Sequence, residues 1–146
     1  MLKSILNLFK DSPEVSQSPH QVEIATAALL SEVVRADSLS DERELATLKQ
    51  LIRENFDLNE EEITNIVSVG EKRSEEAVDL VQFTKALNDG MSAEHKERVM
   101  RGLWQIAYAD ATLSPDEEHI IRKIADLLYI PHSRFIKAKL EAQSTK

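Results

Sequence analysis

Apolar side chains recur at helical spacing along most of the chain. From Gln21, the positions Val22, Ile24, Ala25, Ala28, Leu29, Val33 and Val34 make a broad face, apolar nearly all round in its middle. That pattern predicts a central helix running to about Ala36. A second helix is expected to start near Asp41 and use Leu45, Leu48, Leu51 and Ile52 before "ENFDLN" breaks the period. Asn59 can cap a third helix with Ile63, Ile66 and Val67 inward, and Glu62, three residues on, completes a capping box. In "AVDLVQFTKALNDG", Val78, Val81, Phe83 and Leu87 predict a fourth helix that Asn88 to Gly90 can stop.

The pattern then begins again. Ser92 can cap a fifth helix carrying Val99, Leu103, Trp104, Ile106 and Ala107, and Ser114 opens a sixth with Ile120, Ile121, Ile124, Leu127 and Leu128. A last helix follows Pro131 and uses Phe135, Ile136 and Leu140. A shift of 73 residues aligns Leu30 with Leu103, Val33 with Ile106, Ala36 with Ala109, Asp37 with Asp110, Glu44 with Glu117, Leu48 with Ile121 and Leu51 with Ile124. The expectation is therefore an all-α bundle of about seven helices with an internal pseudo-twofold duplication of helix-loop-helix units, its halves spanning about 20–70 and 93–142. Ahead of it, Leu2, Ile5, Leu6 and Phe9 share one face of a short helix, and the polar, proline-bearing "DSPEVSQSP" reads as a linker. The organisation expected is a helix and linker over 1–19 and one helical domain over 20–146.

Composition agrees with helices: three glycines, four prolines and 42% hydrophobic residues, enough for a real core. Acidic residues outnumber basic ones 26 to 18, for a net charge of -8, which repels phosphate backbones and argues against nucleic acid as a partner. The absence of cysteine removes disulfides, thiolate metal sites and a cysteine nucleophile. Residues 1–10 are too short to span a membrane and lack the features of a cleaved leader, so a cytoplasmic protein is expected. Peripheral membrane contact through that segment is the weaker alternative, because two lysines supply little attraction to an anionic surface.

Two stretches carry the candidate chemistry. In "RADSLSDERE" Asp37 is followed seven residues later by Glu44, and in "YADATLSPDEEH" Asp110 is followed seven later by Glu117. Helix initiation alone accounts for much of this. Ser114 is a cap, Pro115 suits the first helical position and Glu117 reaches back to the cap N–H, with Asp41 and Glu44 in the same roles earlier. Asp37 and Asp110 fit that grammar less well, since each sits near a helix C-terminus, where negative charge opposes the helix dipole unless a cation or nearby N–H groups offset it. Asp37, Glu44, Asp110 and Glu117 are hard oxygen ligands suited to calcium, magnesium or manganese. The loops lack the oxygen spacing and central glycine of an EF-hand, and His20, His95, His119 and His132 form no pair at zinc-ligand spacing.

At these residues the chain resembles the TerB family of tellurite-resistance proteins over roughly residues 20–140. The match is clearest in "LWQIAYADATLSPDEEHIIRKIADLLYI", with an echo in "LLSEVVRADSLSDERELATLKQLI" and a similar "VDLVQFTKALN" segment. The resemblance implies an all-helical, internally duplicated domain whose acidic loops hold a divalent metal ion, in a setting of metal or oxyanion stress. The family pattern runs Ala, Asp, Gly, then an aliphatic residue, with Glu seven after the Asp. Asp37 with Glu44 and Asp110 with Glu117 match it, while Ser38 and Ala111 stand in place of the glycine.

The leading expectation is a non-enzymatic binding module that takes a divalent cation at its acidic loops and meets a protein partner whose identity the sequence does not give. The alternative is a metal-free interaction module in which those loops are capped turns and Trp104 and Tyr108, four apart on one face, anchor a partner helix. An enzyme ranks third, for lack of a nucleophile with an orienting base or a phosphate-cradling glycine loop.

Overall fold

Four helices begin where a local side chain accepts from a first-turn amide. The structure is a computed structural model that describes residues 20–36, 42–109 and 113–144. The expected helix over 1–10 with its linker, and Asp37, Asp41 and Asp110 in the two acidic turns, lie outside the described residues. Among the described residues there are seven helices and no strand: α1 Gln21–Ala36, α2 Glu42–Asn55, α3 Glu60–Glu76, α4 Val81–Gly90, α5 Ala93–Ala107, α6 Pro115–Leu127 and α7 His132–Ser144. Asn59 accepts from the Glu62 amide at 2.8 Å while Glu62 accepts from the Asn59 amide at 2.9 Å, the expected reciprocal box. Ser92 caps α5 through the His95 amide, and Ser114 caps α6 through the Glu117 amide.

The α1 helix occupies the centre, packed against α2, α3, α4, α5 and α6. Its sequence explains this, because Ile24 to Ser31 are all buried, leaving no face for water. Around it Leu48, Ile52, Ile63, Ile66, Phe83, Leu87, Met100 and Leu103 close the core, each such side chain contributing about 1.5–3 kcal/mol by leaving water.

Two departures from the expected pattern concern α4. The Asp79 carboxylate accepts from the Val81 amide at 3.0 Å, so the chain turns before the helix starts; Leu80 is the buried apolar residue there, and Val78 is 98% exposed. Gly90 is the last helical residue rather than a left-handed stop, and Met91 leaves in extended backbone with φ -131°. The close approach to Val22 explains the glycine, since a Cβ at Gly90 would lie 2.7 Å from the Val22 Cγ2. A left-handed stop occurs instead at Tyr129, φ 60°, where the Ile130 amide donates to the Ala125 carbonyl and the Tyr129 amide to the Asp126 carbonyl in a Schellman closure of α6.

Helix starts recur along the chain at a nearly constant offset. Helices starting at 21, 42 and 60 have counterparts starting at 93, 115 and 132, displaced by 72, 73 and 72 residues. In each trio the third helix runs parallel to the first. On α1 and α3, Gly70 lies against Ala27 and Ser74 bonds Arg35; on α5 and α7, Glu97 pairs with Arg134 and Tyr108 accepts from Gln143.

Candidate functional site

Three glutamates hold the same local position, the third residue of a helix: Glu44 in α2, Glu62 in α3 and Glu117 in α6. Glu62 and Glu117 make the same reciprocal cap, with Glu117 Oε1 accepting from the Ser114 amide at 3.0 Å. Their surroundings differ sharply. The Glu62 side chain keeps 41% of its surface, as expected of a carboxylate on a first turn, whereas Glu44 and Glu117 keep none. The cap is therefore shared by Glu62 and Glu117, and burial is what sets Glu117 apart.

Packing of the helices places these two carboxylates at one end of the bundle. Helix α2 lies antiparallel to α5: the Phe56 ring meets His95 in a tilted contact with centroids 5.2 Å apart, and Leu51 abuts Gly102. The α2 start that carries Glu44 is thus beside the end of α5. Helix α6 lies antiparallel to α1. Its terminal carbonyls at Leu127 and Leu128 accept from Asn88 and Lys96, next to Gly90, which touches Val22 in the first turn of α1. The α6 start that carries Glu117 is therefore beside the end of α1. The ends of α1 and α5 and the starts of α2 and α6, which flank both acidic turns, gather together.

Glu44 and Glu117 are thus the two expected ligands on described helices, and Asp37 and Asp110 lie outside the described residues. Among the described residues no three His, Asp or Glu side chains form a metal-sized cluster. His119 and His132 are exposed, His20 contacts Glu23 and Glu62 at 3.4 and 3.6 Å, and His95 is half-buried against Phe56. Burial of the His95 ring, with Arg98 nearby, lowers its pKa below the ordinary 6.5, against a backbone hydrogen bond at Asn55 and the Glu23 charge, which raise it.

Trp104 and Tyr108 do not form an open partner anchor. Both are buried, at 0% and 8% exposure, with rings 6.1 Å apart, and Phe135 lies 5.2 Å from Trp104. Lys139 covers the Trp104 ring with its ammonium at 5.2 Å from the centroid, so helix α7 takes the place that a partner helix would need. Sequence reasoning also passed over Arg98, Arg101 and Gln105, exposed or half-buried on α5, because only the packing of α2 and α7 turns that face into a groove.

The architecture defines a class, the small all-α domain with buried carboxylates where its helices meet. Within that class the chain matches the family model described as tellurite resistance protein TerB over residues 23–140, most of its length, and it belongs to that family. Neither the curated proteins nor the solved structures give a significant match. No helix among the described residues is long and apolar enough to cross a membrane.

Proposed function

We propose that this TerB-family protein is a non-enzymatic binding module, cytoplasmic and acting in metal or oxyanion stress, whose paired acidic turns hold a divalent cation. The observation that carries this reading is the complete burial of Glu44 and Glu117, each the third residue of its helix, against the half-open Glu62 at the same local position. Two shielded carboxylates are hard oxygen donors suited to a cation such as calcium, magnesium or manganese. Asp37 and Asp110 are the remaining expected ligands, each seven residues ahead of its glutamate. A bound ion would supply charge and tie the turns together, with no reaction chemistry required. Helix starts offset by 72 to 73 residues support an internal duplication as the origin of the pair.

Titration with calcium or manganese, followed by backbone amide NMR, tests this directly. Amides of the two turns and of the first turns of α2 and α6 should shift at or below millimolar metal. Glu44→Gln, Glu117→Gln and Asp110→Asn should each abolish the response, and Glu62→Gln should preserve it. Unmoved turn amides, or a response indifferent to Asp110→Asn, would sink the metal reading. The metal-free interaction module would then stand, supported by the full capping box at Ser114 and Glu117.

A further inference from the structure

Three adjoining hollows run along α5 between α2 and α7. The central one, about 400 Å³, shares Leu51, Glu54 and Gln105 with a second of about 290 Å³ and Arg98, Arg101 and Glu141 with a third of about 300 Å³. Together they follow α5 from Glu94 to Gln105, a length of about 16 Å at 1.5 Å per residue. That accommodates about five residues of extended peptide at some 3.3 Å each.

The side chains in the middle of this groove are poised for a carboxylate. Arg98 is exposed and has no carboxylate within ion-pair distance among the described residues, and Arg101 has only a long 4.0 Å contact to Glu141. Two guanidinium groups one helical turn apart offer planar donor forks that fit a carboxylate. Gln105, half-buried, presents an amide able to donate to and accept from a peptide backbone, and Leu51 supplies an apolar floor. Glu54, Glu94, Glu97 and Glu141 ring the groove, so a polyanion is repelled while one carboxylate on a largely apolar peptide is accepted.

We propose that this groove binds an extended segment of a partner protein, seating a single aspartate or glutamate side chain between Arg98 and Arg101. The proposal uses none of the acidic-turn residues and stands whether or not those turns bind metal.

The test uses the full chain and a fluorescein-labelled pentapeptide with a central glutamate between leucines, read by polarisation and by amide and arginine Nε NMR shifts. Binding should perturb Leu51, Arg98, Arg101 and Gln105. It should weaken at least tenfold when glutamine replaces the central glutamate, and equally with Arg98→Gln or Arg101→Gln; Arg98→Gln alters an exposed position and keeps the test readable if Arg101→Gln misfolds. Absence of binding at millimolar peptide, equal binding of the glutamine control, or shifts clustered elsewhere would overturn the proposal. So would acetate that moves the same resonances with the same affinity as the peptide, since that marks a free small-anion site.

Discussion

The contacts of α1 with α3 and of α5 with α7 occupy matching places in the bundle and are built from opposite materials. The first is a close approach of small residues: a Cβ at Gly70 would lie 2.6 Å from the Ala27 Cβ and 3.0 Å from its backbone carbon. The second is propped by rings, with Trp104 fully buried between Tyr108, Phe135 and Lys139. Position 31, which the 73-residue shift pairs with Trp104, is a buried serine. One topology therefore tolerates a narrow, backbone-limited seam and a wide, side-chain-filled one. What is kept between them is helix direction and the burial of the glutamate at the third position of α2 and α6.

Removing the prop should do the most harm. Trp104→Ala should cost about 3–5 kcal/mol in urea unfolding, the range for deleting a buried aromatic, because α7 cannot collapse onto α5 past Phe135 and Tyr108. Trp104→Phe should cost much less, since it keeps a ring and removes an indole N–H that is buried without a hydrogen bond. Equal losses in the two variants would mean that the ring contacts carry little of the α5–α7 seam.

The narrow seam should fail in the other direction. Gly70→Ala adds one methyl where none fits, an overpacking cost of about 1–3 kcal/mol that the better helix propensity of alanine offsets by roughly 1. Ala27→Gly in the same chain should recover only the part of the strain due to the Ala27 Cβ, because the Ala27 carbonyl carbon and the Ala28 nitrogen also lie 3.0 Å from the added methyl, and a double-mutant cycle measures that part as favourable coupling. If the two changes simply add, the seam is looser than the geometry indicates.

The smallest effect concerns the junction between α2 and α5, where His95 meets Phe56. Its pKa is lowered chiefly by burial and secondarily by Arg98, so the unfolded chain takes up the proton more readily. The sign follows. The neutral ring's contribution is fully present above pH 6.5 and is lost as pH falls from there through the depressed folded value. His95→Gln should flatten the dependence of stability on pH in that window, as measured by thermal melts across a pH series. An unchanged slope would remove His95 from the account.

How far the sequence reached depends on the range of the interaction involved. Asn59 with Glu62 and Ser114 with Glu117 were legible because a capping box is complete within four residues. The central place of α1 was legible because an all-round apolar helix has no other home. Val78 misled because its spacing fits a helix that Asp79 delays by binding the Val81 amide. Leu140, read as inward, is 57% exposed, since Phe135, Ala138 and Ala142 are the residues of α7 that face α5. For the candidate site, the Asp and Glu spacing was visible in the chain. The contrast between buried Glu117 and open Glu62 was not, because both complete the same local capping box and their burial depends on what packs over them.

The clasp at the end of α6 has a consequence for how the protein comes apart. Asn88 of α4 donates to the Leu127 carbonyl at 3.0 Å, and Lys96 of α5 bridges from Asn88 to the Leu128 carbonyl at 3.3 Å. The last turn of α6 is thus completed by Asn88 on the connector α4 and by Lys96 on α5, and α1 packs against α4, α5 and α6. Neither trio carries a finished surface of its own, so a chain divided at that connector leaves the Leu127 carbonyl without its Asn88 donor and apolar faces open on both pieces. The protein should therefore melt once, as a single cooperative unit.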